Sequence, residues 1–130
     1  VYHFSLSSID SLPIMMVLAI LSNNKCTING VDINKTIIKN EYEIMQEALR
    51  KMNVECNLKH QNLSIIVTDS LKKAQVDCQN NPYVLMALTY LGLLGNTPVV
   101  IRNADCIYSK NYNFYDYLKE KGAKIEFIND

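Results

Sequence analysis

The side chains able to do acid–base, nucleophilic or metal chemistry are few and scattered in this chain. His3 falls near the start of an expected strand and His60 in an expected turn, and neither has a partner at a catalytic spacing. The four cysteines, Cys26, Cys56, Cys78 and Cys106, form no Cys-x-x-Cys pair and have no histidine cluster nearby. They read as reduced, partly buried thiols of a cytoplasmic protein, against a metal site or a disulfide framework. Asp10 stands immediately before an uncharged run, where an aspartate either caps a turn or takes a proton from a substrate; the residues alone favour the cap. Lys110, just ahead of an aromatic-rich segment, reads by itself as a surface lysine.

The elements that would position these residues are clearer. From Leu12 to Leu21 no side chain is charged. The run is about half the twenty residues of a bilayer span. It also lacks the basic flank and cleavage site of a secretion signal. A helix that is apolar all round must be covered on all sides, with Ser11 as N-cap, Pro13 in the first turn and Asn23-Asn24 as the stop. NNPYVLMALTYLGLLGN repeats the pattern: Asn81 caps, Pro82 opens the helix, and Tyr83 to Leu94 are uncharged up to Gly95.

The segments after the two apolar helices also correspond. KCTINGVDI parallels PVVIRNADCI, and ALRKMNVECN parallels YLKEKGAKIE. The spacing from Pro13 to Pro82 equals that from Leu49 to Leu118, as an internal duplication requires. Residues 1–70 then form one repeat, and 71–130 a second, incomplete one, within one partial domain. Strands are expected at 2–7, 26–31, 54–58, 63–68, 73–78, 98–102 and 123–128, with a hairpin through Lys59-His60-Gln61-Asn62. Residues 40–52 give an amphipathic helix with Ile44, Met45, Ala48, Leu49 and Met52 inward. Residues 112–120 give a shorter one with Phe114, Tyr117 and Leu118 inward. The fold class is α/β: repeated βαβαββ units whose buried apolar helices are shielded by outer sheets.

Composition excludes several functions. Thirteen basic and thirteen acidic side chains balance, which argues against nucleic acid as a partner. The tyrosines of the 112–120 segment have no basic residues interleaved and make no base-stacking platform. With 48% hydrophobic residues the chain can build a core, and nothing points to a membrane.

The run of motifs resembles the C-terminal part of the enolpyruvyl transferase family, on its EPSP-synthase side. SSIDSLPIMMVLAILS stands where that family has an aspartate and a buried helix. EALRKMNVECN stands at its leucine, basic-pair segment, NNPYVLMALTYLGLL at its second buried helix, and SKNYNFYDYL at its last lysine and aromatic helix. The resemblance implies an inside-out α/β barrel that moves the enolpyruvyl group of phosphoenolpyruvate to shikimate 3-phosphate, a step of aromatic amino acid biosynthesis, with no metal or organic cofactor. Such chemistry needs cations for phosphate and carboxylate, and a carboxylate and a lysine for proton transfer at the hydroxyl and the methylene carbon. By the same resemblance Asp10 and Glu41 are the catalytic carboxylates, and Lys110, Lys39, Asn34 and Lys35 bind substrate.

The pattern is incomplete. Tyr42-Glu43 and Tyr83 stand where the family places two anion-binding arginines. Each lost contact is worth roughly 1.5–3 kcal/mol, so the pair amounts to about a hundredfold or more in affinity. The alternative implied is a catalytically inactive relative that serves as a structural or interaction module. The chain also holds less than two full units of a domain whose family shares its site between two domains. The reading is therefore a segment whose partners include the rest of a longer polypeptide, with open sheet edges that invite pairing into a dimer.

Overall fold

The computed structural model describes residues 2–6, 11–22, 25–109 and 114–126. In chain order the elements are β1 (Tyr2–Ser5), α1 (Leu12–Leu21), β2 (Cys26–Asn29), α2 (Thr36–Arg50), β3 (Val54–Lys59), β4 (Asn62–Val67), β5 (Ala74–Asp77), α3 (Pro82–Leu94) and β6 (Val99–Arg102). A 3₁₀ segment (Ala104–Ser109) and α4 (Phe114–Glu120) complete the order.

One sheet has the order β1-β2-β4-β3, with β1 and β2 parallel and the other pairs antiparallel. Its alternation sets the faces: Cys26, Ile28, Leu63, Ile65 and Val54 are buried, whereas His3, Asn29 and Asn57 are exposed. On the outer face His3 Nδ1 and Thr27 Oγ1 lie 2.6 Å apart, a cross-strand pair on neighbouring strands. His60 and Gln61, with φ of 51° and 64°, make the tight turn between β3 and β4, the left-handed geometry that matches strand twist. The second sheet is the parallel pair β5-β6. Two strands of four residues are too few to stand alone, and α3 packs across β6 to support them.

The core lies between the sheets. α1 packs chiefly on α3 and also contacts α2, β2 and β4. Leu12, Met16, Ala19, Leu85, Leu88 and Leu91 are wholly buried. The helices are not covered on every side, however. Leu18 is 54% exposed on α1, and Tyr83 and Leu94 are exposed on α3. An apolar run fixes where a helix can be buried, but neighbours cover it only where an element is present.

Other expectations shift at the ends of elements. α2 starts four residues before Asn40, because Asp32 to Lys35 form a turn that launches the helix at Thr36. Its inward set is as expected, with Ile44, Met45, Ala48, Leu49 and Met52 all buried. In α4 Phe114 and Tyr115 are buried while Tyr117 is 58% exposed. Tyr115 Oη reaches Thr89 Oγ1 at 3.4 Å, and Phe114 meets Tyr90 edge-on at 5.6 Å, so aromatic contacts set the rotation of this short helix. Gly122, at φ 97°, comes just after it, and the amide of Ala123 donates to the carbonyl of Leu118, ending the helix in a left-handed cap. Residues 123–126 are not in a strand; the rest of the expected final strand, like Ser7, lies outside the described residues.

The two helix starts differ physically. Asn81 Oδ1 accepts from the amides of Tyr83 and Val84 at 3.0 and 3.2 Å. Ser11 makes no side-chain cap, and its Oγ is buried with no hydrogen-bond partner among the described residues. Asn81→Ala is therefore expected to cost about 1 kcal/mol, while Ser11→Ala should be near neutral. Urea denaturation of both variants checks the contrast.

Candidate functional site

The parallel pair β1 and β2 delivers two chain segments to one end of the sheet. The Leu6 amide donates to the Asn29 carbonyl at 2.8 Å, and the next residue, Gly30, has φ 83°. A Cβ on Gly30 would stand 3.0 Å from the Leu6 carbonyl oxygen, so both the close approach and the backbone angle select glycine. From there the amide of Val31 donates to Gln61, and Asp32 organises the turn into α2. Its carboxylate accepts from the Asn34 amide at 3.0 Å, and its carbonyl from the Lys35 amide at 3.1 Å.

This turn places Asn34 and Lys35 at the start of α2, with Lys39 one helical turn further on. All three are exposed. Lys35 occupies the N-cap position and offers no side-chain acceptor to the first-turn amides. Backbone N–H groups, the positive end of the helix dipole and two ammonium groups at i and i+4 thus share one helix end, a setting that favours an anion. Ile33 and Ile37, both exposed, border it.

Glu41 points elsewhere. Two residues beyond Lys39 means about 200° around the helix, so its side chain joins the inward set and is only 7% exposed. Burial lifts its carboxyl above the ordinary glutamate range. The structure therefore gathers Asn34, Lys35 and Lys39 and sets Glu41 on the inner side of the same helix. Asp10 and Lys110 lie outside the described residues.

Neither arginine substitutes at this end. Arg50 pairs with Glu47 at 2.7 Å on the exposed face of α2. Arg102 ends β6 and sits opposite Asp77 in the β5-β6 register. There a cleft of about 590 Å³ is lined by Lys51, Gln75, Val76, Asp77, Arg102 and Asn103. The Asp77 carboxylate accepts from Asn103 Nδ2 at 2.8 Å and from the Gln79 amide at 2.7 Å. These bonds hold it below the usual carboxylate range, with smaller help from Arg102 and Lys51. Sequence reading overlooked Asp77 and Asn103. The expected duplication held the signal: a second repeat built like the first pairs 73–78 with 98–102 in parallel and sets the ends of these two strands side by side. Among the described residues no three His, Cys, Asp or Glu side chains are placed to hold a metal. No helix among them is long and apolar enough to cross a membrane.

Comparison with known proteins gives one consistent result. The sequence model of the family EPSP synthase (3-phosphoshikimate 1-carboxyvinyltransferase) matches residues 7–120. The 3-phosphoshikimate 1-carboxyvinyltransferase of Thermoanaerobacter sp. (strain X514) is 26% identical over 107 residues, covering 82% of this chain and 25% of that protein. The protein of that name from Caldicellulosiruptor saccharolyticus is 27% identical over 118 residues, 90% of this chain and 27% of its own length. Among solved structures, EPSP synthase from Acinetobacter baumannii superposes with a TM-score of 0.75 at 14% identity, over 90% of this chain and 27% of that one. That likeness establishes an EPSP-synthase-like fold. The chain spans about a quarter of the length of the curated relatives it matches.

The buried carboxyl has a measurable consequence. Its folded pKa is raised above the ordinary glutamate value, so the folded state binds a proton that the unfolded state has released. Its ionisation weakens the fold at neutral pH, and that penalty fades as pH falls through the folded pKa toward the unfolded one. Glu41→Gln is expected to raise the urea midpoint at neutral pH, with the gain shrinking on acidification. An equal gain at every pH would contradict this account.

Proposed function

Because the chain belongs to the EPSP synthase family, we propose that it is a segment of an enolpyruvyl transferase that moves the enolpyruvyl group of phosphoenolpyruvate to shikimate 3-phosphate. The observation that carries this reading is the family match over residues 7–120, a span that includes every residue proposed here for the site. The helix end holding Asn34, Lys35 and Lys39 supports it, since both substrates are anions.

In this reading Asp10 takes the proton of the attacking hydroxyl as its oxygen adds to C2 of phosphoenolpyruvate. A proton is delivered to the methylene carbon, C3, giving a tetrahedral intermediate. Loss of a proton from C3 then expels phosphate. The resemblance makes Glu41 the second catalytic carboxylate; on the inner side of α2, away from Lys35 and Lys39, it reaches the C3 proton only if its side chain turns outward. Lys110, Lys35, Lys39 and Asn34 hold phosphate and carboxylate groups by charge-assisted hydrogen bonds. No metal or organic cofactor enters, and a cytoplasmic location goes with the reading.

The same proposal treats residues 1–70 and 71–130 as duplicated units of one partial domain. The matching order β1-α1-β2 and β5-α3-β6, each with parallel strands, supports it. The remainder of a longer polypeptide then completes the site, and the open sheet edges remain available for a dimer.

A second reading, a relative in which the fold serves as a structural or interaction module without catalysis, is favoured by one observation. Tyr83, exposed at the start of α3, stands where the family's pattern has an arginine, and Arg50 is paired with Glu47 instead.

Calorimetry of the full-length polypeptide with shikimate 3-phosphate, then phosphoenolpyruvate, followed by a phosphate-release assay, separates the two. Transfer predicts ternary binding and turnover that Asp10→Ala abolishes. It also predicts that Lys39→Ala weakens phosphoenolpyruvate binding roughly tenfold to a hundredfold. A correctly folded polypeptide that binds neither substrate establishes the second reading.

A further inference from the structure

The four cysteines fall into two pairs with opposite geometry. Cys26 on β2 and Cys56 on β3 both take Ile65 of β4 as their register partner, one from each side. They are two strand spacings apart, about 9–10 Å, beyond the roughly 7 Å between Cα atoms that a disulfide spans.

Cys78 and Cys106 are brought to the same place by the chain that leaves β6. Cys78 comes directly after β5 and is fully buried, and its Sγ lies 3.2 Å from the carbonyl oxygens of both Arg102 and Asn103. Asn103, at φ 61°, turns the chain sharply into the 3₁₀ segment, and Cys106 is three residues on. With Cys78 Sγ held against the carbonyls on either side of this turn, the two thiols are close enough for each to act on the other's ionisation. Both are reduced here.

We propose that Cys78 and Cys106 are a modification site, a thiol pair that a small disulfide such as oxidised glutathione converts to an intramolecular disulfide joining the end of β5 to the 3₁₀ segment. Cys106, the more exposed of the two, loses its proton and attacks one sulfur of the oxidant. One glutathione thiolate leaves and a mixed disulfide remains on Cys106. The Cys78 sulfur, deprotonated in turn, attacks the Cys106 sulfur and releases the second glutathione. The pair gives up two protons and two electrons, and one glutathione disulfide becomes two thiols.

The surroundings set the balance of this exchange. Burial pushes the Cys78 thiol up to about 12 and raises that of Cys106. Hydrogen bonds to each sulfur pull the other way but burial outweighs them, so the exchange is slow at neutral pH and faster in mild alkali. The uncharged disulfide is the form that such an environment favours once it has formed. The bond would also fix the segment that runs into Lys110. That consequence rests on the functional reading above, whereas the bond itself does not.

The test incubates the reduced full chain with oxidised or reduced glutathione in mild alkali, quenches with acid, alkylates the remaining thiols and maps the peptides by mass spectrometry. The expected product loses two thiols. Its Cys78 and Cys106 peptides are joined at a mass lower by two hydrogens, with Cys26 and Cys56 alkylated and the bond reversed by dithiothreitol. In Cys78→Ser, glutathione should accumulate on Cys106. If that variant does not fold, the map of the unchanged chain decides. A lasting glutathione adduct on Cys106 of the unchanged chain overturns the proposal. So does a bridge to Cys26 or Cys56, or full alkylation of both residues after equilibration with the oxidant.

Discussion

The burial of two uncharged helices against each other is the constraint on which the rest depends. α1 and α3 present no charge along their length, so each must be covered by protein on most of its circumference. They meet each other in the interior, and the amphipathic α2 and the inner sheet face close around them. The polar alternation of β2, β3 and β4 is a consequence, because a strand with helices on one face and water on the other must alternate. Leu18, Tyr83 and Leu94 mark where the described residues leave this covering open.

That constraint also decides where chemistry can be placed. The helices fill the interior, so polar groups gather where chain leaves the strands: after β1 and β2, where Gly30 presses on Leu6, and after β5 and β6, where Asp77 holds Asn103. Parallel pairing is what brings both segments of each couple to the same end. Ligands of open α/β sheets occupy this position for the same geometric reason.

The sequence made the helices and most strands legible because their signals are local. Uncharged runs opened by Asn81-Pro82 or Ser11-Leu12-Pro13, and β-branched alternation in 62–67, need no tertiary knowledge. It was less informative where tertiary contact decides. Tyr115 is inward in place of Tyr117 because its hydroxyl meets Thr89 while Tyr90 packs on the neighbouring Phe114, and no periodicity in a seven-residue helix announces that. α2 begins at Thr36 because the Asp32 side chain and carbonyl close a turn, a signal carried by Asp-x-Asn that the apolar positions from Ile44 to Met52 do not contain. The proposed binding residues Asn34, Lys35 and Lys39 came from the resemblance, and the helix start at Thr36 is what sets them at one end of α2. The separation of Glu41 from Lys39 emerges only once the helix is known to include both.

That separation sharpens the chemical argument. A lysine and a carboxylate on the same exposed face would neutralise each other, leaving an ordinary surface pair worth little. On opposite sides of α2 they stay electrically distinct. Lys39 remains a cation in water at a helix end that already favours anions, while Glu41 lies where desolvation holds a proton on it to higher pH. One helix thus carries an exposed ammonium and a buried carboxyl on opposite sides, provided its register is fixed. Met45, Leu49 and Met52 fix it, since all three are fully buried on the inward stripe, and any rotation would expose them. The packing that answers the demand of the uncharged helices therefore also keeps the exposed lysine and the buried carboxyl apart.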